Sequence, residues 1–207
     1  MTVALDHGIL KCVSTDTVRA VMRSFVPKEV SPALHRSSYA SAYTDDNAIR
    51  SWRETCNVLD VSVESLVDDA ISRRISLVLE GVHIVPSTRF IKRWEEQGGV
   101  ALGVLLQIQD AKTHKRLLTR RGFTTGKISA EKKKIGSYAR IREIQDEMMR
   151  LAKDSEWLQI EQKTEPDALE LLTMRLFSIT NETDVGVDHD DIQQNVVFSG
   201  LPTETAG

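Results

Sequence analysis

Two hydrophobic patterns alternate along the chain. Short, almost continuous apolar runs predict strands of a parallel sheet that is covered by helices on both sides. These runs are ILKCVS, ISLVLEGVHIV, VALGVLLQI and WLQIEQ. Between them, apolar residues recur at three- and four-residue spacing, which is typical of a helix with one buried face. Strands that alternate with helices in this way predict an α/β protein with a mainly parallel sheet.

The helical segments are bounded by recognisable start and stop signals. The first begins at Asp16 and ends before Pro27, because proline cannot continue a helix. Further helices are predicted over residues 48–73, after Thr88, over residues 130–153 and at DALELLTMRLF. Beyond Ser178 the sequence is polar, acidic and aperiodic, which favours disorder. We therefore predict one domain over residues 1–177 and a disordered tail over residues 178–207.

Composition narrows the class of protein. The chain has 207 residues, of which 41% are hydrophobic and 28% charged, and a formal net charge of -3. This balance gives no basic excess for binding nucleic acid. Cys12 and Cys56 lack the spacing of a zinc site or a disulfide framework. No apolar run is long enough to span a membrane and no signal peptide opens the chain, so we expect a cytoplasmic protein with no membrane partner.

Ligands of open parallel sheets bind beyond the carboxyl ends of the strands, where the first candidates are Asp16 and Arg19. Asp16 has two interpretations, an N-cap of the helix or a functional carboxylate. Arg19 lies in the first helical turn, where the partial positive charge of the helix terminus disfavours a cation. Either its side chain extends into solvent, or an anionic ligand held by the helix N–H groups and the guanidinium removes the conflict.

The second apolar run contains two polar residues. Glu80 follows Leu79, and a carboxylate there needs a cation, a bound water or backbone N–H groups to replace its lost hydration. His83 alternates with apolar residues, a pattern that is more typical of a packed core histidine than of a catalytic one.

A basic segment follows the third run. Its positive residues are Lys112, His114, Lys115, Arg116, Arg120, Arg121 and Lys127. Such a run is usually a solvated helix face. Its position after a strand end also suits a lid that closes over phosphates, with Arg120 or Arg121 stabilising the transition state.

Four stretches in one order resemble successive motifs of 2-phosphoglycerate kinase and its relatives among the P-loop kinases. They are VSTDTVRAVMRSF, SPALHRSSY, SLVLEGVHIVP and SYARIREIQDEMMRLA, within residues 9–162. The resemblance implies a three-layer αβα fold of the P-loop kinase type. It also implies ATP-dependent transfer of a phosphoryl group to a hydroxyl of a phosphorylated small acid, with Mg²⁺ and ATP as cofactors.

The family motifs imply roles for individual residues. Asp16 corresponds to the acid that orients or deprotonates the acceptor hydroxyl, and Glu80 to the acid near magnesium, which it contacts through water. The residues implied to bind the acceptor are Ser14, Thr15, Arg19 and His83. Arg120 and Arg121 are implied as catalytic arginines of a lid over residues 110–130.

One departure from the family concerns the phosphate-binding loop G-x-x-x-x-G-K-[ST]. The sequence contains no such loop, since GFTTGKIS has one residue too few between its glycines and follows no strand. We therefore expect the chain as given to be inactive or incomplete as a kinase. The alternative is a non-catalytic descendant that binds a phosphorylated metabolite or a protein.

The same departure affects the sheet. In the family, the strand before this loop lies in the middle of the sheet, between the strands at ISLVLEG and VALGVLLQ. Two buried strand edges would then face each other without a partner, at a high cost in free energy. We consider three outcomes: a longer native protein with an N-terminal segment, a sheet that re-pairs, or another chain that fills the gap.

Overall fold

The computed structural model describes residues 8–42, 47–125, 137–161, 167–183 and 199–200. Its strands are β1 (Lys11–Ser14), β2 (Leu77–Glu80), β3 (Val104–Gln107), β4 (Leu158–Glu161) and β5 (Ser199–Gly200). Its helices are α1 (Thr15–Arg23), α2 (Pro32–His35), α3 (Ala48–Ser72), α4 (Arg89–Glu95), α5 (Ala111–Thr125), α6 (Tyr138–Asp154) and α7 (Ala168–Thr183). No helix in these ranges is both long and apolar enough to cross a membrane.

The strands form two short parallel sheets. β1 pairs with β2, which places Ser14 opposite Glu80. β3 pairs with β4 on one side and with β5 on the other, and Leu105 lies opposite Ser199. Helices connect the strands in sequence, so the prediction of an α/β protein with a mainly parallel sheet is confirmed.

Two hydrophobic clusters contain alternate residues of the same strands. The first core cluster includes Leu77 and Leu79 of β2 and Leu105 of β3, packed with residues of α3, α4 and α6. The second core cluster includes Val78 of β2 and Val104 of β3, packed with residues of α7. Because successive strand residues point to opposite faces, the two clusters cover opposite faces of β2 and β3.

Several elements differ in length from the prediction. The apolar run over residues 75–85 forms a strand only to Glu80, since Gly81 has φ 132, a conformation that interrupts a strand. Within the described residues α6 begins at Tyr138, and the predicted helical residues 130–136 lie outside them. In the predicted tail, α7 continues to Thr183 and residues 199–200 form β5, while the remainder lies outside the described residues.

Candidate functional site

The junction between β1 and α1 is built from small polar residues. Ser14 is the N-cap of α1, and its side chain accepts a hydrogen bond from the backbone N–H of Asp16 at 3.3 Å. The N-cap interpretation of Asp16 is therefore wrong, because Ser14 holds the N-cap position and Asp16 is the second residue of the helix. Asp16 lies in the first helical turn instead, where its carboxylate interacts favourably with the helix terminus.

A close approach of the Thr15 side chain to the backbone of Gly81 fixes α1 against the end of β2. Thr15 is fully buried, and a Cβ added to Gly81 would lie 1.9 Å from Thr15 Oγ1. Gly81 also has φ 132, which L side chains rarely adopt. Since Ser14 lies opposite Glu80 in a parallel pair, the residues that follow β1 and β2 meet at the edge of the sheet formed by the carboxyl ends of the strands.

His83 is buried at this edge and connects three elements. Its Nδ1 lies 3.1 Å from Thr15 Oγ1, and its Nε2 lies 3.1 Å from Arg19 Nη1 and 3.0 Å from Ser38 Oγ. A guanidinium can only donate, so Nε2 accepts and the ring proton resides on Nδ1, which donates to Thr15. Burial, and then the positive charges of Arg19 and Arg23, lower the pKa of His83 to about 3. His83 is therefore a neutral acceptor at neutral pH.

The side chain of Arg19 does not extend into solvent. It is only 11% exposed, and it donates from Nη1 to the carbonyl of Arg36 at 3.4 Å as well as to His83. Its Nη2 lies 3.8 Å from Asp16 Oδ1, an ion-pair distance that is too long for a hydrogen bond. Asp16 Oδ1 also lies 3.9 Å from His83 Nδ1. The structure thus brings Thr15, Asp16, Arg19 and His83 together, and we call them the α1 cluster.

Other arginines hold the segment that faces the α1 cluster. Arg23 donates to the carbonyl of Leu34 at 2.8 Å. Arg140 of α6 donates to the carbonyls of Tyr39 at 2.8 Å and Ala40 at 3.3 Å. The backbone carbonyls of residues 34–40 accept hydrogen bonds from these guanidiniums. The arginines thereby add positive charge around this segment.

Sequence reasoning assigned no role to Ser38 or to the supporting arginines. Ser38 is buried against His83, 45 residues away in sequence, and Arg140 reaches Tyr39 across 101 residues. Local patterns cannot predict such distant partners. The signal that the sequence offers is the SPALHRSSY stretch, one of the four family-like motifs, which contains Ser38.

Glu80 ends β2 at the same edge but is not part of the α1 cluster. Among the described residues, no hydrogen bond or ion pair joins it to Asp16 or Arg19. Its negative charge adds to desolvation in raising the pKa of Cys12. Glu80 thus lies near β1, and its role beside a metal stays a prediction.

The described residues do not by themselves fit magnesium and ATP. They contain no group of three or more His, Cys, Asp or Glu that could hold a metal ion. Magnesium can bind through one carboxylate together with water and phosphates, so Glu80 would supply one ligand. In the described part of the chain, no glycine-rich loop precedes a helix in a position to hold the β- and γ-phosphates.

The basic segment forms α5, which the described hydrogen bonds tie to α6. Tyr138 donates to the carbonyl of Ala111 at 2.6 Å, and Arg142 Nη1 lies 3.4 Å from Nδ1 of the buried His114. Arg120 is exposed on α5, and the side chain of Arg121 lies outside the described residues. The lid role of these two arginines stays a prediction.

Taken together, the α1 cluster can bind an oxyanion. It combines the N-terminus of a nine-residue helix, a mostly buried guanidinium and a neutral imidazole that holds this guanidinium in place. Backbone N–H groups and an arginine in this arrangement favour phosphate or carboxylate oxygens. Asp16 at the rim, 23% exposed, is a carboxylate that can accept a hydrogen bond from a ligand hydroxyl.

Comparison with known proteins finds curated relatives that share one name. The chain is 35% identical over 123 residues to a 2-phosphoglycerate kinase of Methanothermobacter thermautotrophicus, which is 55% of this chain and 39% of that protein. It is 25% identical over 192 residues to the 2-phosphoglycerate kinase of Methanococcus vannielii, covering 86% of this chain and 60% of that protein. A third relative, the 2-phosphoglycerate kinase of Methanopyrus kandleri, is 28% identical over 145 residues, which is 67% of this chain and 44% of that protein.

No family model and no solved structure matches the chain. The chain spans about half the length of the curated relatives it matches. The resemblance predicted from the four motifs is nevertheless confirmed, since this protein is similar over much of its length to several curated 2-phosphoglycerate kinases.

Proposed function

We propose that this chain carries the acceptor-binding site of a P-loop-type small-molecule kinase, and that the site takes a phosphorylated acid of the 2-phosphoglycerate type. The observation that carries this proposal is the placement of Arg19, a mostly buried cation at a helix N-terminus, hydrogen-bonded to a neutral histidine. The names of the relatives supply the substrate class.

Electrostatics favours an anion at this place. The helix terminus, Arg19 and Arg23 are all positive, and burial together with the two arginines keeps His83 uncharged. Asp16 offsets part of this charge from 3.8 Å. A phosphate or carboxylate group near the N-terminus of α1 would gain charge-assisted hydrogen bonds from the guanidinium and the backbone.

The residues of the site divide into binding and positioning roles. We assign acceptor binding to Arg19 and orientation of the acceptor hydroxyl to Asp16, because both keep some exposed surface. Thr15 and the His83 side chain are completely buried, so they position Arg19 rather than touch the acceptor. Ser14 caps the helix whose N–H groups face the anion.

The site for the phosphoryl donor lacks its phosphate-binding loop in the 207 residues given. Mg²⁺ and ATP would supply the transferred phosphoryl group, with Glu80 on the metal side and Arg120 or Arg121 on a lid. The 207 residues contain no G-x-x-x-x-G-K-[ST] motif to hold that donor. We therefore propose binding of the acceptor without phosphoryl transfer for the chain as given.

Isothermal titration calorimetry with 2-phosphoglycerate tests the acceptor site. We expect saturable binding to the unaltered chain, and loss of at least tenfold in affinity for Arg19→Ala, because a charge-assisted hydrogen bond contributes about 1.5–3 kcal/mol. The matched control is Arg93→Ala, which removes two ion pairs from α4 to α3 and leaves the α1 cluster unchanged.

The outcomes separate binding from catalysis. An affinity that is equal in the Arg19→Ala and Arg93→Ala variants would contradict the proposed acceptor site. A parallel titration with Mg²⁺ and ATP, followed by an assay for ADP, should show neither binding nor turnover. ATP-dependent consumption of 2-phosphoglycerate would instead show that the chain is an active kinase, and would overturn only the proposal that it does not transfer.

A further inference from the structure

The two halves of the core are joined across a gap in strand pairing. β2 and β3 contribute alternate residues to the same two core clusters, so they belong to one layer of the protein. In the described parts of the chain, however, the pairing of β2 is with β1, and that of β3 is with β4 and β5. β2 and β3 are therefore not paired with each other. We call the space between their facing edges the slot.

The short strand β5 lies in this slot. Ser199 and Gly200 pair with Leu105 and Leu106 of β3 in the parallel direction. β5 also contacts β2. A segment near residue 200 therefore stands between two strands that precede it by nearly a hundred residues or more.

The slot is longer than the strand that occupies it. β2 and β3 each have four residues, whereas β5 has two. Leu77, Val78 and Leu79 of β2 are buried, and buried backbone groups without partners are costly. The exposed edge residue is Leu106, which is 42% exposed opposite Gly200. An extended segment laid between these edges would satisfy their N–H and C=O groups, as in strand addition to an open sheet edge.

We propose that the slot between β2 and β3 is a strand-binding site, and that its occupant is the C-terminal segment of the same molecule around Ser199–Gly200. This segment completes the sheet from the end of the chain. Of the three outcomes considered from the sequence, it corresponds to re-pairing within one molecule, with the new strand coming from the tail.

Sequence and geometry favour this occupant. The segment NVVFSGL over residues 195–201 is the most apolar part of the tail, and valine and phenylalanine are favoured in strands. α7 ends at Thr183, and its Leu172 and Leu176 pack in the second core cluster with Val78 and Val104, close to the slot. The intervening residues 184–198 can span roughly 50 Å when extended, which is ample for a connection within one molecule.

Disulfide trapping in the full chain tests the register. Leu106→Cys and Gly200→Cys would place two thiols on adjacent strands about 4.8 Å apart at Cα, within the range that a disulfide accepts. The exposed Cys12 is changed to serine to avoid exchange. The control pair is Val61→Cys with Gly200→Cys, since Val61 is exposed on α3.

We expect mild oxidation to form an intramolecular disulfide in most molecules of the Leu106–Gly200 pair, and in few of the control pair, as read by non-reducing electrophoresis and mass spectrometry. Equal yields in the two pairs would overturn the proposal. Predominantly intermolecular disulfides would also overturn it, because the slot would then take a second copy of the chain.

Paramagnetic relaxation in NMR tests the same contact without the disulfide pair, in case the double-cysteine variant does not fold. A nitroxide on Thr203→Cys, with Cys12→Ser, lies three residues after β5 in sequence. It should broaden the amide NMR signals of Leu79 and Leu106 at any protein concentration and leave that of Val61 sharp. Sharp signals for Leu79 and Leu106, or broadening that grows with concentration, would contradict occupation of the slot in cis.

Discussion

The two halves of the sheet end in different ways. The β1–β2 half ends in the α1 cluster, where buried side chains from three segments hydrogen-bond one another around His83. The β3–β4 half ends at the basic helix α5, and its inner edge is met by the two-residue strand β5. The half with the α1 cluster is held by hydrogen bonds between side chains, whereas the other half pairs with a segment far along the sequence.

Each half also contains a buried histidine beside an arginine. His83 lies against Arg19 and two hydroxyl groups, and its pKa falls to about 3. His114 lies against Arg142, and burial followed by that positive charge lowers its pKa as well. Because both pKa values are lowered in the folded protein, the unfolded chain binds protons more readily and acid should destabilise both halves. The pKa of His83 is lowered by burial and by two arginines, whereas His114 has one arginine and the opposing charge of Asp146 beside it.

The largest effect on stability is expected from Gly81→Ala, which would disrupt the contact between α1 and the residue that follows β2. The new Cβ would lie 1.9 Å from Thr15 Oγ1 at a φ of 132, so Thr15 and His83 must move. We expect a loss of about 4 kcal/mol in the free energy of unfolding, measured by urea titration, from clash and strain together. Gly98→Ala is the control, because Gly98 has φ 79 but open space, and should lose only about 1 kcal/mol.

Arg140→Ala should have the next largest effect, since it removes the hydrogen bonds that join α6 to the segment beside the α1 cluster. Arg140 of α6 is buried and donates to the carbonyls of Tyr39 and Ala40 beside the α1 cluster. Removing it takes these donors from two partly buried carbonyls and leaves a cavity at α6, and we expect a loss of about 3 kcal/mol in the free energy of unfolding. A loss below about 0.5 kcal/mol would mean that these hydrogen bonds do not hold the segment beside the α1 cluster.

The pH dependence of stability should be smaller. His83 binds a proton below pH 6.5 when unfolded but only near pH 3 when folded, so its contribution is complete above pH 6.5 and is lost as the pH falls. The loss is about 1.4 kcal/mol per pH unit, or about 2 kcal/mol at pH 5. Urea titrations at pH 7 and pH 5 should therefore differ by about 2 kcal/mol less in His83→Asn than in the unaltered chain. Identical differences would show that His83 is protonated in the folded state.

The smallest effect is expected from Arg150→Ala, on the same helix as Arg140. Arg150 pairs with Glu147 and Asp154 on the surface, with 57% of its side chain exposed. Exposed ion pairs contribute little, so the free energy of unfolding should change by less than about 0.5 kcal/mol. A change as large as that of Arg140→Ala would remove the contrast between buried and exposed arginines on α6.

Local patterns predicted the elements of the fold well, and their limits have physical causes. α3 follows from its apolar spacing and was predicted within one residue at its end. The strand at ISLVLEGVHIV was predicted too long, since periodicity does not show that Gly81 adopts a positive φ. β5 was missed because two residues, one of them glycine, give no hydrophobic period, and their pairing depends on β3 nearly a hundred residues earlier.

The candidate site was predicted in part for a similar reason. Asp16, Arg19 and His83 were singled out from strand ends and charge, and the structure brings them together. Charge at a helix terminus is a local property, so it can be recognised in sequence. The N-cap role of Ser14 was missed because serine and aspartate are both good caps, and only the geometry decides between them.

The most direct test of the central claim is a ¹H–¹⁵N NMR spectrum of the histidine rings at pH 5, before and after addition of 2-phosphoglycerate. His83 should be neutral, with the proton on Nδ1 and with Nε2 accepting a hydrogen bond from Arg19. The chemical shift of Nε2 should change when the ligand binds to the Arg19 guanidinium. A ring unaffected by saturating 2-phosphoglycerate would contradict an anion site at Arg19, and a charged His83 ring at pH 5 would contradict its role as the neutral acceptor for that guanidinium.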